Sequence, residues 1–160
     1  MPCYLFTFHG YGMWMPDHQR GFVRRKVGIV APDTHLATCY RKNLNQSVMI
    51  FERTHQQILI EAATEAFEHQ NSRGHGIATE STHLHLLVSW TSDRTWETVR
   101  RTLRGSLTRR LNFEFGVRDW FSKQPSRKRV AERQHFDYLM QVYSPKHRGL
   151  KWCERAGIYL

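Results

Sequence analysis

The chain is poor in cysteine, in acidic side chains and in long apolar runs. Its three cysteines, Cys3, Cys39 and Cys153, are odd in number and far apart, with no CxxC pair. That pattern argues against a disulfide framework and against a cysteine zinc knuckle, and fits reduced thiols in a cytoplasmic protein. No apolar run approaches the roughly 20 residues that a membrane-spanning helix needs, so a membrane is not the expected partner. The N-terminus lacks a signal-peptide pattern, and neither an internal repeat nor a low-complexity linker interrupts the chain. Acidic residues number 14 against 24 Lys and Arg, a net charge of +10. Such an excess points to a polyanionic partner, and nucleic acid is the usual soluble one.

What is present suffices for a real core. The 160 residues are 40% hydrophobic, which predicts one globular domain over residues 1–160. Residues 4–8 (YLFTF) have strand composition. Residues 9–46 are rich in Gly, Pro and charge and read mostly as irregular, a length that suggests hidden short strands, with 27–30 and 38–40 as candidates. From 53 to 70 the apolar positions Ile58, Leu59, Ala62, Ala63, Ala66 and Phe67 recur at helical spacing, and Asn71-Ser72-Arg73-Gly74 supplies a glycine stop. Strands follow at 76–79 and 83–90. A second helix, with Ser92 or Asp93 as its cap, aligns Trp96, Val99, Leu103, Leu107 and Leu111 on one face. The basic stretch 120–130 (WFSKQPSRKRV) ends in a short strand, and a last helix over 131–142 stops before Pro145. This order predicts an α+β fold: an antiparallel sheet with helices packed on one face, ferredoxin-like or RRM-like.

Within the strand THLHLLVSW, alternation sends His83 and His85 to one face and Leu84 and Leu86 to the other. Two imidazoles about 7 Å apart on a rigid strand can converge on one metal ion. A His-x-His in a chain with 10 histidines also arises by chance, and plain hydrogen-bonding histidines are the competing reading. No third His or Cys sits at a usual zinc spacing, so an octahedral ion completed by phosphate and water oxygens, Mg²⁺ or Mn²⁺, is the expected cofactor. Tyrosine suits the attack on a phosphodiester because the aryl phosphate ester conserves the bond energy for rejoining. Tyr138 and Gln141 lie at i and i+3 of the last helix, so Gln141 can offer a third ligand beside a Tyr138 nucleophile. A tyrosine simply packed at the sheet edge is the alternative.

Three stretches together resemble the single-tyrosine transposases built on a His-hydrophobe-His (HUH) strand, which include insertion-sequence and REP-associated transposases. They are the opening YLFTFHGYGMWMPDHQRGFV, the strand THLHLLV, and the tail WFSKQPSRKRVAERQHFDYLMQVYSPKHRGLKW. The resemblance implies a DNA transposase that binds DNA hairpins and nicks and rejoins an adjacent single strand. Its intermediate is a 5′-phosphotyrosine with a free 3′-OH. His83 and His85 then hold the divalent ion and Tyr138 attacks. The polar ligand four residues after the tyrosine in better-known members falls on Val142, with Gln141 at three. Tyr143 is the alternative nucleophile and has His147 four residues on, but Pro145 between them argues against a continuous helix and puts Tyr138 first. Members of this family act alone or as homodimers, and both arrangements stay open.

Arg100, Arg101, Arg104, Arg109 and Arg110 on the second helix, with Lys123, Arg127, Lys128 and Arg129, are the expected DNA phosphate contacts. Trp14 and Trp120 are candidates for stacking on unpaired bases. The rival readings are a domesticated or decayed DNA- or RNA-binding module that never cuts, and a metal-dependent hydrolase that uses water.

Overall fold

A computed structural model describes residues 1–17, 19–24, 26–123 and 125–160. His18 and Arg25, within the stretch read as irregular, and Gln124, within the basic stretch 120–130, lie outside the described residues. Six strands form one antiparallel sheet: β1 (Cys3–His9), β4 (Ser72–Thr79), β5 (His83–Trp90), β6 (Ser126–Arg129), β7 (Lys151–Cys153) and β8 (Gly157–Tyr159). Their order across the sheet is β6-β1-β5-β4-β7-β8. With α2 (Arg53–His69) between β1 and β4, and α3 (Trp96–Phe115) between β5 and β6, the first four strands of that order have the interleaved ferredoxin-like pattern. The β7–β8 hairpin widens the sheet beyond β4.

Period-two alternation sorts the sheet faces. Tyr4, Phe6 and Phe8 of β1 and Leu84, Leu86, Val88 and Trp90 of β5 join the apolar stripes of α2 and α3 in the main core. Both long helices therefore share one face, as expected. The opposite face carries Leu5 and Leu87, and a shorter helical run covers it: α4 (Arg133–Tyr138), a π-helical turn (Leu139–Tyr143) and a 3₁₀ turn (Ser144–Lys146). Leu139, Phe136, Met140 and Tyr143 pack there in a second apolar cluster.

Several local expectations are corrected. Residues 38–40 are not a strand but lie within α1 (Thr34–Lys42), where the Asp33 side chain accepts from Leu36 N at 2.8 Å and Arg41 and Lys42 complement the last turn. The strand expected at 27–30 is β3 (Gly28–Val30), paired among the described residues only with β2 (Phe22–Arg24). The cap of α3 is Thr95, whose Oγ1 accepts from Thr98 N, because the Trp90 indole donates to Arg94 O at 2.9 Å and holds 90–94 out of the helix. The stop after α2 is Asn71, at φ 47°. Gly74 is needed for another reason: a Cβ there would lie 2.2 Å from the Phe67 ring.

Candidate active site

The β1–β5 register sets the site. His85 lies opposite Thr7, and His83 opposite His9, all on the face away from the long helices. His85 is 5% exposed; its Nδ1 is 2.7 Å from Thr7 Oγ1 and its Nε2 is 3.1 Å from the Tyr143 hydroxyl. His83 Nδ1 is 2.7 Å from Thr82 Oγ1. A third imidazole arrives from the chain's far end: His147 Nδ1–H donates to Tyr143 O and Ser144 O at 3.1 and 3.2 Å. Carbonyls can only accept, so the His147 Nε2 lone pair is left for a ligand role. The nearest ligand atoms of His83, His85 and His147 all lie within 4.8 Å of one another. His9 flanks them, its ring 5.5 Å from that of His83 and 4.6 Å from Trp14.

Burial, followed by the charges of His9 and His147, pulls the His83 imidazolium down to about 4. His85 falls lower still, from burial first and then from His83, His147 and His9. Both are therefore neutral at pH 7, the form that ligates a metal. Three imidazoles with fixed Nδ1 partners and ring nitrogens that converge on one point fit a divalent cation. No third His or Cys lies at a usual zinc spacing along the sequence, but the fold brings His147 to the pair, and a nitrogen-rich set suits Mn²⁺ or zinc better than Mg²⁺. Burial raises the Tyr143 phenol, with Arg20 opposing and Tyr138 adding to the rise.

The structure brings Tyr143, not Tyr138, to the histidines. Tyr138 is 47% exposed, its ring 6.4 Å from that of Tyr143, and Gln141 points outward on the exposed side. Two features of the backbone explain this. The π turn over Leu139–Tyr143 changes the helical phase set by α4, so the side chain aimed at the sheet is the one five residues after Tyr138. Pro145 does not break the path, because it occupies the first turn of the 3₁₀ segment, where no N–H is required.

His147 is held by the loop that follows it. The buried Lys151 ammonium donates to His147 O and Gly149 O at 2.8 and 3.2 Å. Arg148 N donates to Glu80 Oε1 at 2.6 Å, and Leu150 N to Gln56 Oε1 at 3.0 Å. Thr79 Oγ1 donates to Leu150 O at 2.6 Å. Gly149 is obligatory here, since a Cβ would meet Thr79 O at 2.2 Å. Sequence reasoning missed Thr7, Thr82 and His9. Alternation along β1 places Thr7 and His9 on one face, but nothing local says that this strand lies beside β5.

The basic residues divide by use. Arg110 is spent on Glu61, Glu65 and Glu114, at 3.7, 3.5 and 2.9 Å. Arg104 donates to Phe121 O at 3.1 Å, and Arg100 donates to Pro125 O at 3.2 Å beside the Trp96 ring. These three hold elements together. Arg101 and Arg109 border an open groove of about 510 Å³ with His69, Thr102 and Ser106. Lys123, Arg127, Lys128 and Arg129 are exposed, the last three on β6 at the sheet edge, where Arg127 also stacks 3.7 Å over Trp96. Trp120 is not available for base stacking: it is buried, and its indole donates to Asn112 Oδ1 at 2.8 Å. Among the described residues no helix is long and apolar enough to cross a membrane.

Comparison with family models and with curated proteins finds no match. Among solved structures, the chain is similar to a REP-associated tyrosine transposase bound to a REP hairpin, at 9% identity and a TM-score of 0.49. The match covers 87% of this chain, which spans 62% of that one.

Proposed function

We propose that this protein is a metal-dependent DNA transposase of the single-tyrosine type, which nicks and rejoins single-stranded DNA beside hairpins in the cytoplasm. The observation that carries the reading is the Tyr143 hydroxyl 3.1 Å from His85 Nε2, inside a cluster of three histidines. His83, His85 and His147 would hold the ion, which when bound supplies positive charge to a phosphate oxygen. Of the two tyrosines considered, Tyr143 is favoured by its contact with this cluster and Tyr138 by none.

In this reaction the Tyr143 oxygen attacks phosphorus and its proton leaves to water or a neighbouring base. The bond from phosphorus to the 3′ oxygen breaks, giving a 5′-phosphotyrosine and a 3′-OH that gains a proton. Thr7 and Thr82 keep the His85 and His83 rings oriented, and the Lys151 contacts hold His147 in reach. Lys123, Arg127, Lys128, Arg129, Arg101 and Arg109 remain as phosphate contacts.

The test is a covalent-adduct assay on labelled single-stranded DNA that carries hairpins from the flanks of the protein's own gene, with Mn²⁺ or with EDTA. A slow-migrating, Mn²⁺-dependent adduct is expected from the wild type and from Tyr138→Phe, and none from Tyr143→Phe. An adduct that survives in Tyr143→Phe and disappears in Tyr138→Phe would return the nucleophile to Tyr138. Hairpin binding with no adduct under any divalent ion would leave a nucleic-acid-binding module that does not cut.

A further inference from the structure

The stretch 21–32 (GFVRRKVGIVAP) plays no part in the histidine cluster. Among the described residues β2 and β3 pair with each other and with no other strand; Val27 N donates to Arg24 O at 3.0 Å and Lys26 adopts φ 69°. An isolated two-stranded ribbon is marginal in water and gains nothing from apolar groups turned outward. Yet Val27 is 65% and Ile29 77% exposed. Arg24 and Lys26 lie beside them, and no Asp or Glu occurs between Gly21 and Pro32. An apolar tip in a purely cationic ribbon complements a ligand with flat apolar faces set between anionic links, and stacked bases between phosphates are that ligand.

The ribbon rises from the rim of the candidate site. At its base Asp33 N donates to Pro16 O at 2.8 Å, and Gly21, at φ 77°, admits no Cβ because Val30 O would lie 2.1 Å away. The Arg41–Asp17 ion pair at 2.6 Å ties α1 to the same loop. That loop carries Trp14 against His9, and Arg20, just before the ribbon, is near enough to act on the charge of Tyr143.

We propose that the β2–β3 ribbon is a wedge that inserts Val27 and Ile29 at the junction between paired and unpaired DNA, with Arg24 and Lys26 on the flanking phosphates. The unpaired strand is thereby directed towards Tyr143. This inference rests on the nicking reading of the site, and binding in EDTA, where no strand is cut, separates the two.

The probe is a DNA hairpin with a single-stranded extension and 2-aminopurine at the first unpaired position. The same extension without the hairpin and the blunt stem serve as controls. The wild type is expected to raise 2-aminopurine fluorescence on binding the junction. Val27→Ser/Ile29→Ser abolishes that rise and weakens junction binding about tenfold, the scale of a lost base-stacking contact. It leaves single-strand affinity and thermal unfolding unchanged, and Val27→Leu/Ile29→Leu behaves as the wild type. Arg24→Glu, which leaves the apolar tip intact, also weakens junction binding. An undiminished rise in the folded Ser variant, or equal weakening on all three DNAs, overturns the wedge. So does a shift from dimer to monomer in the Ser variant with junction binding retained, because the tip would then join two copies of this chain. A wild type that binds none of the DNAs overturns the nicking reading as well, whereas binding without junction preference removes the wedge alone.

Discussion

Acidification should destabilise the metal-free protein through its two strand histidines. His83 is pulled from 6.5 down to about 4 in the folded chain, and His85 lower. Below pH 6.5 the unfolded chain takes a proton on each ring while the folded chain still refuses one, so the unfolded state binds more protons and stability falls as pH falls. The stabilising contribution is complete above about pH 6.5 and is lost progressively down to the folded values. From pH 7.5 to 5.5 each ring that resists protonation contributes a loss of about 1.4 kcal/mol, so the pair sets an upper figure of about 3 kcal/mol. The partial exposure of His83 at the rim reduces its share. The assay is urea unfolding in EDTA at both pH values, followed by tryptophan fluorescence and extrapolated linearly. Wild type is compared with His83→Gln/His85→Asn, and the difference between the proteins cancels His55 and His75, which are also lowered by burial. A loss of stability on acidification that is the same in both proteins, or a wild type that grows more stable at pH 5.5, would refute the reasoning.

Two further outcomes follow from the contacts around the histidines. Thr7→Val removes the hydroxyl 2.7 Å from His85 Nδ1 and should lower Mn²⁺ affinity by about tenfold or more with the fold intact, measured by calorimetric titration; unchanged affinity would show that Thr7 does not orient the ring. Gly149→Ala forces a Cβ against Thr79 O and should cost about 1–3 kcal/mol in urea unfolding while weakening Mn²⁺ binding through the displaced His147. Stability lost without any change in Mn²⁺ affinity would separate that loop from the metal site.

Much of the scaffold was legible because it is written in local periodicity. The stripes of α2 and α3 needed only a 3.6-residue repeat, and the facing of His83 and His85 only the two-residue pleat of a strand. Their antiparallel α+β arrangement followed from the order of elements. Short elements were less legible. α1 depends on one capping contact from Asp33, and the start of α3 on an indole hydrogen bond that reaches four residues ahead. Helix continuity put Tyr138 ahead of Tyr143 in the sequence, whereas Pro145 sits in the first turn of a new segment and the path continues to bring Tyr143 beside the histidines.

The sequence by itself determined the charge that calls for a polyanion, the faces of the long helices and the two histidines that share one side of a strand. The tertiary structure alone decided which groups meet them. Thr7 and His9 come from a strand more than seventy residues away, through a register that no local pattern encodes. His147 and Tyr143 come from the chain's other end, through a π turn whose extra residue resets the facing of everything after it. Pleat and helical repeat act between neighbours along the chain, whereas the histidine cluster is assembled from neighbours in space, and the sheet order that makes them neighbours is set by the packing of the whole core.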